Sequence, residues 1–368
     1  MSANRANGKS VRIGLVGYKF MGKVHSHAYR SMPYFFDTGA EPVLQAISGR
    51  DAQSLTAAAA GMGWHDAETD WRRLIERDDI DAIDICTPNG SHYDIALAAA
   101  QAGKHILCEK PLALSVEQAQ SMLRAAKAAN VIHMVCFNYR FAPAVQFAKR
   151  LIAQGTLGDI YHFRAVYLQD WLANEKEASS WRVDKKVSGT GALGDLMAHS
   201  IDLARFLVGE IRDVTAQMAS FRPHADVDDT ASCLARFDGG AVGVFEASRF
   251  AKGNRNGNRI EINGSKGSLR WDLENMNNLH VYLEDDPPGC QGFRVITCTE
   301  EAHPFAQAYW PPGHILGYEH TFVNLVSEFI RGIATGIQPS PSFEDGLRNQ
   351  LVLHAIETSA RLGRRVTV

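Results

Sequence analysis

Residues 11–27 read VRIGLVGYKFMGKVHSH, and this stretch decides the fold of the first third of the chain. A short apolar run from Val11 to Val16 reads as a strand, and it passes through Gly17 directly into a segment with helical spacing. Strand, glycine turn and helix in that order aim backbone N–H groups and a helix N-terminus at a pyrophosphate. The run Gly14-Leu15-Val16-Gly17-Tyr18-Lys19-Phe20-Met21-Gly22 departs from the glycine fingerprint at one place, position 19, where lysine replaces the glycine of closest approach. Gly17, Lys19, Phe20 and Met21 are therefore candidate dinucleotide contacts. The Lys19 ammonium either neutralises a phosphate or points to solvent while the backbone binds.

Working outward, the pattern repeats. PVLQAI, DAIDIC, HILCE and IHMVCF are further strand candidates, separated by alanine-rich helical segments at Asp51 to Ala60, His92 to Ala102 and Val116 to Ala129. Alternation of this kind gives a parallel sheet with helices on both faces, a doubly wound Rossmann domain over residues 11–137. At the end of its second strand an acidic residue normally accepts the adenosine ribose hydroxyls; here the sequence is Ile47-Ser48-Gly49-Arg50-Asp51. Loss of the acid beside an arginine permits 2′-phosphate recognition and leans toward NADP. With NAD bound, Arg50 would stack on adenine, and Asp51 would begin the next helix. Ser48, Gly49 and Arg50 are candidate contacts under either alternative.

After Asn138 the grammar changes. A helix near Ala144 to Ala153 precedes the strand IYHFRAVYLQD, and a helix near Leu193 to Leu207 precedes ASCLARF, AVGVFEASR, RIEINGS, GSLRWD, LHVYL and FRVITCT in succession. Turns such as Asp238-Gly239-Gly240 join them, so a large, mostly antiparallel sheet is expected, with helices near His320 to Ile330 and Glu344 to Leu362 closing the chain. The fold class is α/β, a Rossmann domain followed by a C-terminal α+β domain over 138–368, with residues 1–10 a disordered tail. A broad sheet with one face covered and one free invites self-association, as a homodimer or homotetramer.

Composition narrows the function. The chain has 368 residues, 38 basic and 41 acidic, a net charge of −3 without long runs of either sign, which argues against a nucleic-acid partner. No apolar stretch reaches the length of a bilayer crossing, and MSANRANGKS lacks the apolar core of a secretory signal. The six cysteines show no C-x-x-C spacing, as expected of reduced cytoplasmic thiols. His25, His27, His65, His133 and His162 have no partners at metal-ligand spacing. They read as structural histidines, and no metal is expected.

Two more strand ends carry polar sets, Cys86-Thr87-Pro88-Asn89-Gly90-Ser91-His92 and Cys108-Glu109-Lys110-Pro111. Side chains at the carboxyl ends of parallel strands face the crevice where such sheets bind ligands. Thr87, Pro88, Asn89, His92, Glu109 and Lys110 are thus placed near the dinucleotide, and Pro111 keeps Lys110 out of the following helix.

TPNGSH and CEKPLAL, following a glycine turn, resemble the glucose-fructose oxidoreductase / inositol dehydrogenase / rhizopine-catabolism (Gfo/Idh/MocA) family. The resemblance extends through HMVCFNYRFAPAV, YLQDW, Trp181-Arg182 and GTGALGDLMAHSIDLARFLVG to nearly the whole chain, and is similar to the family's levoglucosan- and inositol-oxidising branch. It implies an NAD(P)-dependent dehydrogenase acting on a carbinol carbon of a sugar, anhydrosugar or inositol, oligomeric through its sheet. It makes Lys110 the lysine of the E-K-P motif, and Asp195 and His199 the D-x-x-x-H pair. Spacing agrees: residues four apart on a helix share a face, and an imidazole exchanges protons near neutral pH. His199 is expected as general acid/base, Asp195 as its partner, and Lys110 as hydrogen-bond donor to the reacting oxygen. Gly189, Gly191 and Gly194 suggest close approach of backbone to ligand. Asn138, Trp181 and Arg182 are further cofactor candidates; Tyr139, Arg140, Gln169, Asp170 and Trp171 are substrate candidates, with His314 and Tyr318 weaker ones. Two other activities stay open, a redox-neutral enzyme that recycles its NAD and a sensor without turnover.

Overall fold

The computed structural model describes residues 9–173, 180–223 and 225–368, and these form two compact units. The first contains the described chain through Ala113, then Glu117–Asn138, then Tyr318–Leu347; the second contains Leu114–Val116, Tyr139–Gly317 and Arg348–Val368.

In the first unit the elements run β1 (Lys9–Val16), α1 (Phe20–Phe35), β2 (Ala40–Ser48), α2 (Ala52–Met62), β3 (Asp66–Glu68), α3 (Trp71–Glu76), β4 (Ala82–Ile85), α4 (His92–Gln101), β5 (His105–Cys108), α5 (Val116–Ala128) and β6 (His133–Val135). The sheet order is β3-β2-β1-β4-β5-β6, every pair parallel, which is the doubly wound order expected. Its central strands are buried on both faces, as in β4, where all four residues are inaccessible, while the edge strand β3 has no buried residue. Local chemistry sets the helix ends. The Asp51 carboxylate caps α2 by accepting the Ser54 N–H at 2.8 Å, and Gly63 ends it in the left-handed conformation at φ 81°.

The second unit contains α6 (Pro143–Ala153), β7 (Ile160–Leu168), α7 (Lys185–Ser188), α8 (Ala198–Leu207), β8 (Ile211–Ala219), β9 (Thr230–Phe237), β10 (Val242–Ser248), β11 (Gly257–Gly264), β12 (Gly267–Asp272), β13 (Asn278–Leu283) and β14 (Arg294–Thr297). After α9 (Tyr318–Thr335) of the first unit, α10 (Phe343–Leu362) leads back to β15 (Val366–Thr367). The nine strands lie in the order β14-β13-β12-β11-β7-β10-β9-β8-β15, antiparallel except for the parallel pair β7 and β10. Alternation is clean: Ala231, Cys233, Ala235 and Phe237 are buried, while Ser232 and Leu234 between them are exposed. α6 and α8 pack against the covered face.

Several expectations are corrected. Of the tail assigned to 1–10, residues 1–8 lie outside the described residues, and Lys9 and Ser10 pair with Ala40 and Glu41 at the start of β1. The C-terminal domain drawn as 138–368 does not include Tyr318–Leu347, which belongs to the first unit: the Asn138 amide donates to Thr321 Oγ1 at 2.9 Å, and His133 packs on Phe343. The helix expected from Leu193 opens as a π-turn, Leu193–Met197, before continuing as α8.

Candidate functional site

In the first unit the candidate residues lie where β1, β4 and β5 end. The connections leaving these strands stay in the ladder: Gly17 N–H donates to Ser48 O at 2.9 Å, Cys86 N–H to Val16 O at 2.8 Å, and Glu109 N–H to Ile85 O at 2.9 Å. Gly17 takes φ 105°, and a Cβ there would meet Cys86 O at 2.7 Å, so only glycine makes this turn. Lys19 occupies the N-cap of α1 without a side-chain capping bond, and the first turn carries no acid. The opening N–H groups of α1 thus lack a side-chain acceptor, an arrangement that fits a dinucleotide phosphate. Position 49 is glycine for a structural reason: a Cβ would come within 2.3 Å of the Tyr18 ring. Arg50 beyond it is exposed.

The β4 and β5 loops are tied together by His92. Its buried ring sets Nε2 2.9 Å from Thr87 O and Nδ1 3.0 Å from Pro111 O. Burial pushes the imidazole below its usual range, so the neutral ring donates to one carbonyl at a time. His92 shapes both loops, and its ring nitrogens are committed to the protein. The Lys110-Pro111 bond is cis, and the Lys110 N–H donates to Glu109 Oε2 at 3.1 Å.

His25, expected to be a structural histidine without partners at metal-ligand spacing, is not isolated. It forms two groups whose polar atoms lie within 4.8 Å of one another, one with Asp84 and Cys86 and one with Glu109 and Cys136. Both ring nitrogens already face carboxylates, and burial pushes the two thiols well up, with Asp84 or Glu109 adding to it. These groups come from four separate elements, so linear spacing carries no sign of them.

In the second unit Asp195 lies in the π-turn and His199 at the start of α8. The turn is held from below by Asp228, whose carboxylate oxygens accept the N–H groups of Gly191 at 2.6 Å and Leu193 at 2.8 Å, while its carbonyl accepts Ala192 N–H at 3.1 Å. Burial pushes the Asp228 carboxyl up, against the pull of those N–H groups and Arg249. Gly191 has no room for a side chain, since a Cβ would fall 1.7 Å from Asp228 O. At Gly191 the close approach is thus of backbone to the protein's own chain. Arg249 is fully buried, donates to Asp228 O at 3.0 Å and to Arg182 O at 3.3 Å, and places Nη1 3.9 Å from Asp195 Oδ2. Arg182 Nε stands 3.9 Å from the same oxygen, its guanidinium over the Trp181 ring. Two cations therefore flank the Asp195 carboxylate.

His199 is buried against the Tyr139 ring, centroids 4.5 Å apart. From Tyr139 a polar row runs outward: its hydroxyl lies 2.9 Å from Tyr167 Oη, which donates to Asn256 Oδ1 at 2.8 Å. Gln169 donates to that same oxygen at 2.6 Å, and Trp171 Nε1 donates to Gln169 Oε1 at 2.8 Å. The structure thus groups Tyr139, Gln169, Trp171 and His199 on one wall. It does not group Arg140, whose guanidinium is engaged by Asp202, or Asp170, which accepts Gly253 N–H from the loop between β10 and β11. His314 is exposed, with Nδ1 at Pro311 O. Tyr318 stacks edge-on to Phe322 within the first unit. Sequence reading did not find Tyr167, Asn256, Asp228 and Arg249. Tyr167 carried a signal, lying on β7 two residues before Gln169; the others come from loops.

Residues 11–137 match the profile described as an oxidoreductase family with an NAD-binding Rossmann fold, and residues 145–270 match the GFO/IDH/MocA C-terminal domain. Levoglucosan dehydrogenase of Pseudarthrobacter phenanthrenivorans is 41% identical over 96% of each chain. Among solved structures, an oxidoreductase domain protein from Kribbella flavida superposes with TM-score 0.95 at 49% identity, covering 98% of this chain and 99% of that one. A levoglucosan dehydrogenase in complex with NADH and levoglucosan superposes with TM-score 0.96 at 42% identity over the same shares. No helix among the described residues is long and apolar enough to cross a membrane.

Proposed function

The chain belongs to the GFO/IDH/MocA family of NAD-binding oxidoreductases, and from that premise we propose that it oxidises a carbinol carbon of a sugar, anhydrosugar or inositol, with anhydrosugars of the levoglucosan type the first candidates. When bound, the nicotinamide supplies the hydride acceptor; the protein supplies position and field. Gly17, Lys19 and the opening turn of α1 would hold the pyrophosphate, with Thr87, Pro88 and Asn89 beside it. Lys110 donates a hydrogen bond to the reacting oxygen, His199 accepts the hydroxyl proton, and Asp195 holds substrate or imidazole in place. Gln169 and Trp171 offer a hydroxyl-rich substrate an amide and an aromatic face.

The observation that carries this reading is the wall around His199: a buried imidazole on Tyr139, at the head of a hydrogen-bonded row ending in Trp171. Formation of reduced cofactor should be followed against levoglucosan, glucose, inositols and 3-keto sugars. Stoichiometric accumulation is expected; product without accumulation would point to internal recycling, and binding without chemistry to a sensor. His199→Ala is expected to lower kcat by about 10²- to 10⁴-fold with cofactor affinity nearly unchanged. Parental activity in that variant would refute the assignment.

The finer choices belong to the same proposal. NAD is favoured by the NADH complex of the levoglucosan dehydrogenase relative, with Arg50 serving the adenine; tighter binding of NADPH than of NADH would instead support the sequence's lean to NADP. Self-association through the open sheet face is supported by exposed Leu234, Val242 and Val244, of which Leu234 and Val244 are cross-strand partners. Sedimentation of Leu234→Lys tests it, a parental oligomer counting against that face. Cytoplasmic residence is supported by six unpaired cysteines.

A further inference from the structure

Beneath the strand ends of the first sheet lies a charged group that the redox chemistry described above leaves unused. His25 on α1 is fully buried, with Nδ1 2.8 Å from Asp84 Oδ2 on β4 and Nε2 3.1 Å from Glu109 Oε1 after β5. A neutral imidazole has a single N–H, so between two ionised carboxylates it would set one lone pair against another. Only the imidazolium donates to both. The groups facing the ring are Asp84 and Cys86 from the β4 end, Glu109 from the β5 end and Cys136 from the β6 end, with Tyr29 of α1 beside Asp84 and the uncharged ring of Phe322 on α9 at 5.4 Å. Burial lowers the imidazole's proton affinity, yet Asp84 and Cys86 outweigh it and leave His25 well above its ordinary range. Glu109 uses its other oxygen, Oε2, to accept the Lys110 backbone N–H. One carboxylate therefore joins the buried ring to the residue from which the Lys110 side chain departs.

We propose that His25 is a positioning residue for Lys110: as an imidazolium clamped between Asp84 and Glu109 it fixes the Glu109 carboxylate, and through it the backbone of Lys110. This rests on the reading that Lys110 hydrogen-bonds the reacting oxygen. Removing the cation leaves two carboxylates facing a neutral group, and Glu109 then moves or takes up a proton, loosening the Lys110 backbone.

The test is a double-mutant cycle on the full-length enzyme with NAD and its best sugar substrate, crossing His25→Gln with Lys110→Met. His25→Gln is expected to lower kcat about tenfold with the NADH Kd within about twofold, whereas in the Lys110→Met background the same substitution changes kcat less than about twofold. Equal losses in both backgrounds would overturn the clamp while leaving the role of Lys110 intact. Parental kcat in Lys110→Met alone would overturn that role and the clamp with it. Nitrogen-15 shifts of His25 in the unmutated enzyme decide the matter even where His25→Gln fails to fold. Both ring nitrogens at imidazolium positions at pH 8 support the clamp, and a neutral tautomer at that pH overturns it.

Discussion

Replacing Arg140 by methionine strands a buried carboxylate, and the expected cost is about 3–5 kcal/mol. The guanidinium donates to Asp202 through Nε at 2.7 Å and Nη2 at 2.6 Å, with side-chain exposures of 4% and 2% for the two partners. Two charge-assisted bonds at about 1.5–3 kcal/mol each would be lost. Methionine recovers part of the stem's packing, including that beside Phe206, over whose ring the guanidinium lies at 4.9 Å. Asp202 escapes the rest of the penalty only by taking up a proton. For a unit of this size the loss corresponds to a fall in Tm of about 6–20 °C, read by calorimetry alongside urea midpoints. The double variant Arg140→Met/Asp202→Leu separates structure from binding. Replacing both partners by apolar groups removes the stranded charge, so stability and KM are both expected to return toward the parent. If Arg140→Met kept parental stability and raised only KM, the guanidinium would be a substrate ligand and the structural reading would be wrong.

Gly17→Ala is expected to weaken NADH binding at least tenfold, because the left-handed backbone costs an L-residue about 1–2 kcal/mol and the new Cβ would press on Cys86 O; titration of cofactor fluorescence checks it, and an unchanged Kd would mean that the turn does not contact the cofactor. His133 sets an acid limit on stability. Burial depresses its pKa to about 4, and its Nδ1 accepts the Phe343 N–H at 3.1 Å as a neutral ring must. The unfolded chain binds this proton first, so the contribution is complete above the free imidazole's pKa of about 6.5, declines as pH falls below it, and is gone below about 4; it amounts to roughly 3 kcal/mol. Urea midpoints of His133→Asn should therefore vary less than the parent's between these limits, and identical slopes would assign the acid sensitivity elsewhere.

The parallel half of the fold was legible because its strands are continuous apolar runs punctuated by glycine, proline and alanine-rich helices. Asp66–Glu68 escaped notice because three residues, two of them acidic, carry no periodicity. Ile211–Ala219 was obscured by its register shift, which buries Asp213 and Val214 in succession and breaks the alternation. Lys110, Asp195 and His199 could be picked out as residue types at telling positions. Their supports could not: Asp228 reaches the π-turn from 35 positions away, and His25 meets Asp84 and Glu109 across 59 and 84. A histidine on a helix face reads the same whether its neighbour in space is water or a carboxylate. The helix at Tyr318–Thr335 was visible as a helix, but its membership of the first unit is a property of chain path and leaves no local mark.

That path has a consequence for biosynthesis. A nascent chain that has emerged only as far as Asn138 already holds all six strands of the first sheet, yet it lacks Thr321 for the Asn138 amide, Phe322 beside His25 and Phe343 beneath His133. Nearly two hundred more residues must leave the ribosome before those partners arrive. The nucleotide-binding half is thus begun first and finished late, its flank bare to chaperones in between. A terminator placed at the apparent domain border would leave the Asn138 amide and the rings of His25 and His133 without these partners for good.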